Sequence, residues 1–383
     1  MRILNVVSSL DPSLGGVAEA LRQYALAARA LGAEDFDVVT LERPGAPWLA
    51  QFPAQVHALG PRYTHYSYAP RLAPWLAQNA PRYDALISHG VWEYHGLPVR
   101  RAARRHGRPY FVFVHGMLDP WFRRSPLKHA KKWLFWPWSG YPVLRDAAAV
   151  LFTAEEEMRR APESFWLYRA RPRVAPLGIE APPAGDAAQR AEFARAFPEL
   201  AAKRFILYLG RIHEKKGIDV LIQAFGGVAR ERPQVRLAIA GPDRSGLRPR
   251  LERLAARLGI GERVCWLGEL RAELKWGALR AADAFVLSSH TENFGFAVVE
   301  AMACGTPVLI SERVQIWREI AADGAALTGP DDAEGFAGVL SRWFAMQESE
   351  RQQMRERAID SFQRRFQRES AYRALTASLG AAA

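Results

Sequence analysis

The chain has little with which to staple itself together. Its 383 residues include two cysteines, Cys265 and Cys304. Two can form neither a disulfide framework nor a cysteine metal cluster, and their apolar neighbours suit buried free thiols in a reducing compartment. No stretch approaches the ~18 consecutive apolar residues of a membrane-spanning helix. The opening run from Met1 to Ser8 lacks the long apolar region and cleavage site of a secretion signal, so a soluble or peripheral cytoplasmic protein is expected. Nor is there an internal repeat at a solenoid period or a recognised nucleic-acid motif.

Acidic charge is also locally scarce. From Arg100 to Arg145 the chain carries eleven Lys and Arg but only one acid, Asp119, within a net charge of +12. Such a block is drawn to an anionic surface, and charge alone does not choose among lipid, nucleic acid and a phosphorylated substrate.

What is present is ordinary globular material, 49% hydrophobic and 24% charged. The chain is longer than the roughly 250–300 residues one core usually serves, so two domains are expected. Short β-rich runs alternate with helix-like stretches in two series. The first comprises Ile3–Ser8, Phe36–Leu41, Ala85–Ser88, Tyr110–His115 and Ala149–Phe152. The second comprises Phe205–Leu209, Arg236–Ala240, Arg263–Leu267, Ala284–Ser288 and Pro307–Ile310. Their nearly continuous apolar character predicts parallel strands covered on both faces. A Pro- and Gly-containing linker separates the series. The spacing predicts an α/β protein with an amino-terminal domain over 1–178 and a second over 179–359. A terminal helix over about 360–383 is expected to pack back on the first. Two such domains leave a cleft facing the carboxyl ends of both sheets.

Four features carry chemistry. After the strand ending at Ser288 a loop holds Glu292, Asn293 and Phe294, then Gly295 and Phe296 open a helix bearing Glu300. Carboxylates there can hold sugar hydroxyls, and helix-start amides can hold a phosphate. In Gly210-Arg211-Ile-His-Glu-Lys-Lys216-Gly217, two cations flank a strand-to-helix turn, a suitable place to neutralise a diphosphate. Gly15 and Gly16 follow the first strand in a loop able to approach a ligand closely, although the pattern is not that of a dinucleotide site. His115 ends an apolar strand, where an imidazole can hydrogen-bond a sugar or stabilise developing charge; His89 ends the preceding strand in the same way. Taken singly, each feature also has a structural reading as a solvated charge, a turn or a core histidine.

Together they resemble the retaining glycosyltransferases of family 4, with the GT-B fold: two Rossmann-like domains whose parallel sheets face an interdomain cleft. The likeness rests on G-R-x4-K-G over Gly210–Gly217 and E-x7-E from Glu292 to Glu300. It implies that Arg211 and Lys216 hold the donor diphosphate, that Glu300 binds the ribose and that Glu292 contacts the transferred sugar, while His115 resembles the histidine at that sugar. Gly15-Gly16 resembles the family's amino-terminal loop. A UDP- or GDP-linked sugar is the implied co-substrate, with a glycan or lipid-diphosphate-linked acceptor and no cofactor. Two departures are Asn293, where many members have glycine, and Val314–Glu319, which lacks the common Gly-Gly.

The segment from Met117 to Trp138 interleaves aromatics with Trp121, Arg123, Arg124, Lys128, Lys131, Lys132 and Trp133. Tryptophan favours the water–lipid boundary, so contact with an anionic membrane is expected on the acceptor side. Asp35-Phe-Asp37 matches a metal-binding D-x-D of another transferase fold, but lies at the start of a strand; surface acids and no metal are expected. The rival readings are a nucleotide-sugar epimerase of similar architecture and a nucleic-acid-binding protein.

Overall fold

The computed structural model describes residues 1–33, 35–120 and 126–381; within that range the side chains of 126–128 and Lys131 also lie outside the description. The expected sites Trp121, Arg123 and Arg124 lie outside the described residues, as do the side chains of Lys128 and Lys131. The chain divides into two compact units, Met1–Glu180 with Gln367–Ala383, and Ala181–Phe366.

The first unit is built on seven strands: β1 (Ile3–Val7), β2 (Phe36–Thr40), β3 (Gln55–Ala58), β4 (Ala85–His89), β5 (Tyr110–Phe113), β6 (Ala149–Phe152) and β7 (Pro172–Val174). They pair in the order β3-β2-β1-β4-β5-β6-β7, all parallel. Every residue of β1, β4, β5 and β6 is buried, because helices joining successive parallel strands cover both faces. The sheet reverses direction of growth at β1 and β4. At such a switch point the loops after two neighbouring strands diverge and leave room for a ligand. The second unit repeats the plan with β8 (Arg204–Leu209), β9 (Val235–Ala240), β10 (Val264–Gly268), β11 (Ala284–Leu287), β12 (Val308–Ser311) and β13 (Ala326–Gly329), ordered β10-β9-β8-β11-β12-β13. Its switch point is at β8 and β11.

The helix Arg368–Gly380 belongs to the first unit. Tyr372 sets its ring 6.5 Å from that of Tyr24 and 6.2 Å from that of Phe36, and Arg173 donates 2.8 Å hydrogen bonds to the carbonyls of Ser378 and Ala381. A Cβ at Gly178 would press on Ala371 and the Arg368 backbone, so chain entry and final helix close-pack there. Asp37 differs from expectation. It is buried and its carboxylate accepts the Tyr83 hydroxyl at 2.6 Å, because β2 is covered on both faces. Asp35 is exposed beside Arg2, 3.3 Å away.

Three buried or half-buried carboxylates hold the loops that leave these strands. Glu42 accepts from the Ser9 hydroxyl at 2.6 Å, the Leu10 amide at 3.1 Å and the Trp48 indole at 2.9 Å, anchoring the loop after β1. Glu93 accepts from Ser8 at 2.8 Å and pairs with His95 at 3.0 Å. Glu157 accepts from the Gly116 amide and from both the amide and the hydroxyl of Thr153, tying the loop after β5 to the end of β6.

Burial pushes the Glu157 pKa up from 4.5 to about 7, against the pull of those donors toward the ionised form. The folded protein therefore keeps this proton where the unfolded chain has released it. Native binding of the extra proton makes stability fall as pH rises from 4.5 to about 7. The Glu157→Gln variant is expected to lose that slope, a difference on the order of 3 kcal/mol across the window. Urea unfolding of both proteins at several pH values checks it; equal slopes would show that Glu157 ionises normally.

Candidate functional site

In the second unit the candidate residues gather where β8 and β11 end. Gly210 and Arg211 leave β8, a short turn spans Glu214–Lys216, and Gly217 takes a left-handed conformation (φ 62°) before the helix Ile218–Ala229. A Cβ on Gly217 would collide with the Ser288 carbonyl, so the residue is required both by its dihedral and by a backbone crossing. Three hydrogen bonds bind the two loops there: Ser288 Oγ to Gly217 O at 2.7 Å, Ser289 Oγ to Lys215 O at 2.8 Å, and the His290 amide to Lys215 O at 2.8 Å.

This crossing brings Lys216 to Glu292. Lys216 Nζ forms an ion pair with Glu292 Oε2, and each side chain is about one-fifth exposed. Glu292 is held by its own backbone, its amide donating to Arg313 O at 3.0 Å and its carbonyl accepting from Gln315 at 2.9 Å. Three residues on, Gly295 (φ 74°) caps the helix Phe296–Ala303. The amides of Phe296 and Ala297 precede the first intrahelical bonds, which Val298 and Val299 make to the Gly295 carbonyl, and the first turn contains no acid. Glu300, one turn along, accepts from Lys275 Nζ at 2.8 Å. Lys275 in turn lies 4.0 Å from the Trp276 ring centroid.

The expected residues are not all alike in this setting. The Arg211 side chain is exposed, and its carbonyl accepts the Tyr208 hydroxyl at 2.8 Å. The Phe294 ring faces the interior, so any donor contact at this position falls to the backbone. The residue is 2% exposed, 5.0 Å from Phe296 and 5.9 Å from Phe366 in ring centroids. An apolar ring next to a glycine cap packs under the helix and supports the loop from below. Asn293 is half-buried. Lys275 escaped the sequence reading because it lies in the helix Ala272–Ala281, before β11, and no spacing links it to Glu300.

In the first unit a hydrogen-bonded chain runs from Asn5, in the middle of β1, to His89 at the end of β4 and His115 just past β5. Asn5 Nδ2 donates to the Asp37 carbonyl at 3.3 Å, which orients its Oδ1 toward His89 Nε2 at 3.0 Å. His89 Nε2 must then carry the proton, leaving His89 Nδ1 as an acceptor. It lies 2.9 Å from His115 Nε2, which is therefore the donor. His115 is left with Nδ1 unprotonated, as a hydrogen-bond acceptor. Phe113 stacks on the His115 ring at 4.1 Å and 9°. Desolvation pushes the His115 pKa down to about 3. Burial, together with His115 and His95, holds His89 well below the ordinary range. The chain is thus neutral at physiological pH.

His115 itself has a positive φ of 50°, a conformation uncommon outside glycine; the Glu157 bond to Gly116 holds the backbone there. Gly15 (φ 108°) precedes the helix Gly16–Ala30, so both glycines sit at its start as expected of a loop-to-helix entry. Among the described residues no group of three or more His, Cys, Asp or Glu is arranged to hold a metal ion.

Residues 189–361 match the family described as Glycosyl transferases group 1, and residues 15–178 match the Glycosyl transferase 4-like domain. A D-inositol 3-phosphate glycosyltransferase of Nocardia farcinica is 35% identical over 178 residues, 44% of this chain and 39% of that protein. Mannosylfructose-phosphate synthase of Agrobacterium fabrum is 33% identical over 148 residues, 37% of this chain and 33% of that protein. The match thus spans well under half the length of these curated relatives. The crystal structure of Anabaena HepE in complex with UDP and glucose superposes with a TM-score of 0.73 at 20% identity, covering all of both chains. Sucrose-phosphate synthase from Thermosynechococcus elongatus does so with a TM-score of 0.73 at 22% identity, again over both whole chains. With both units matched in sequence and the whole chain matched in fold, this protein belongs to the group 1 glycosyltransferases of family 4, built on the GT-B fold.

Proposed function

We propose that the chain is a nucleotide-sugar-dependent glycosyltransferase. It moves a hexosyl unit from a UDP- or GDP-linked donor, with retention, onto a glycan or lipid-diphosphate-linked acceptor. The setting is surface polysaccharide or lipopolysaccharide assembly at the inner face of the cell membrane. The observation that carries the reading is the pairing of Lys216 with Glu292 beside the start of the helix Phe296–Ala303, whose first turn holds no acid. A cation and helix-start amides suit a diphosphate, and carboxylates next to them suit sugar hydroxyls. UDP and glucose in HepE, and the phosphorylated sugars and polyols in the relatives' names, support a nucleotide sugar and a polar acceptor.

In this reading Lys216, Arg211 and the helix start stabilise the leaving diphosphate, the principal electrostatic demand of the reaction. The bond from the anomeric carbon to the donor phosphate oxygen breaks, and the acceptor oxygen bonds to the same face. The acceptor proton passes to the leaving phosphate oxygen, so no protein nucleophile is required. Glu292 positions the transferred sugar, Glu300 the ribose, and His115 Nδ1 accepts a sugar hydroxyl.

The donor side is tested by thermal unfolding with UDP, GDP, ADP and their sugar conjugates. A ligand at a hundred times its Kd adds about 2.7 kcal/mol. One nucleotide is expected to raise the Tm of the wild type and to lose that effect in Lys216→Ala; no shift with any nucleotide would sink the donor site.

The histidine chain is tested separately. His89→Phe removes the acceptor that sets the His115 tautomer. With a responsive donor, kcat is expected to fall about tenfold, the kinetic equivalent of one hydrogen bond, with little change in donor KM. An unchanged kcat in a folded variant would reduce His89 to a packing role.

A further inference from the structure

The described part of the expected membrane segment divides into buried and exposed aromatics. Trp136 is fully buried, its ring stacked 4.1 Å from Phe165, and its indole donates to Leu167 O at 2.6 Å. Lys132 is half-buried over the Trp92 ring at 4.4 Å. Trp133 is half-buried, packed against Phe165 and stacked on Trp166. These three are held by the unit's own packing.

Other residues are presented instead. Leu134 is 72% exposed, Phe135 61%, Trp138 79% and Trp166 81%. Leu134, Phe135 and Trp138 lie on the helix Pro126–Phe135 and the turn Trp136–Gly140 that continues it. Trp166 comes from the segment leading into β7. The two stretches run side by side: Trp133 and Trp166 stack at 5.5 Å and 14°, Trp136 bonds Leu167, and Arg171 donates to Ala147 O at 3.3 Å. Large apolar side chains gathered at a surface in this way mark an interaction site.

The same two stretches end in arginine. Arg104, Arg145, Asp146, Arg169 and Arg171 line an open cavity of about 600 Å³. Asp146 is shared among three cations: Arg100 at 2.5 Å, Arg145 at 2.7 Å and Arg104 at 3.5 Å. Neither stretch contains another acid, since residues 126–145 and 164–179 have no Asp or Glu. From Trp166 to Arg171 the chain reaches at most ~18 Å, so aromatics and cavity belong to one edge.

We propose that this edge seats the protein on an anionic bilayer. Trp138, Trp166, Phe135 and Leu134 enter the headgroup region, and the arginine-lined cavity takes a lipid phosphate. Tryptophan favours the interface, aliphatic Leu134 has no use in base stacking, and arginine binds phosphate through a planar fork. The proposal deepens the membrane contact in the proposed function by assigning it to different residues, and it does not depend on donor or acceptor identity.

The test is vesicle flotation at low salt, with phosphatidylcholine alone and with added phosphatidylglycerol. Wild type, Trp138→Ser/Trp166→Ser and Arg104→Glu/Arg169→Glu are compared, and Tm values show that each is folded. Wild type is expected to float only with the anionic vesicles. Reversal of two arginines is expected to weaken binding roughly 25-fold or more, at about fivefold for each charge removed. The tryptophan variant is expected to lose binding to the same vesicles while keeping any nucleotide-induced Tm shift, which separates this edge from the donor site. Equal flotation of all three proteins, or none by wild type, overturns the proposal. So does full competition by inorganic phosphate matched in ionic strength with chloride, which would make the cavity a soluble-anion site. Preferential binding to single-stranded nucleic acid overturns it as well.

Discussion

The second unit turns on one crossing of two backbones. Gly217 lies against the Ser288 carbonyl with no room for a side chain, and Ser288 Oγ closes the contact on the Gly217 carbonyl. Parallel strands β8 and β11 are adjacent, so their following loops leave the same end of the sheet, and here the two backbones touch at Gly217 and Ser288 before they diverge. The crossing converts that topological fact into a fixed distance between a lysine and a glutamate that are 76 residues apart. The two loops are then joined by hydrogen bonds to Lys215 O, so Lys216 is carried on a backbone with few alternatives.

The first unit solves the same problem with buried carboxylates. Glu42, Glu93 and Glu157 each collect donors from a loop that leaves a strand. A carboxylate has about four acceptor sites and can gather several donors at once. This tolerates irregular loops, but leaves charge or a retained proton in the interior, as at Glu157. The neutral chain from Asn5 to His115 belongs to the same end of the sheet and fixes an imidazole tautomer without a charge.

Much of this was legible in the sequence, for physical reasons. Central strands are buried on both faces, so β1, β4, β5, β8, β11 and β12 announce themselves as apolar runs. The strands that escaped were β3, β7 and β13, each at a sheet edge. Their residues are only partly covered, and β7 opens with Pro172, harmless at an edge but suggestive of a linker. The glycine-bounded turns marked Lys216 and Glu300 because their spacing is local. Lys275 and the Asn5–His89 link were invisible, since only folding brings them to their partners. Within the basic aromatic segment, composition cannot tell Trp136, wholly in the core, from Trp138, almost wholly outside it.

The pairing in the second unit bears on how a donor would be recognised. Lys216 and Lys275 are already matched with Glu292 and Glu300, and all four side chains are about four-fifths buried. A diphosphate that drew Lys216 away would leave the Glu292 carboxylate partly desolvated and without its cation, an unfavourable state. Sugar hydroxyls are donors able to satisfy it. The nucleotide alone would make the first exchange without the second, whereas a nucleotide sugar would complete both. On the proposed reading, diphosphate and hexose are therefore recognised as one unit, and the ion pair itself is the element that couples them.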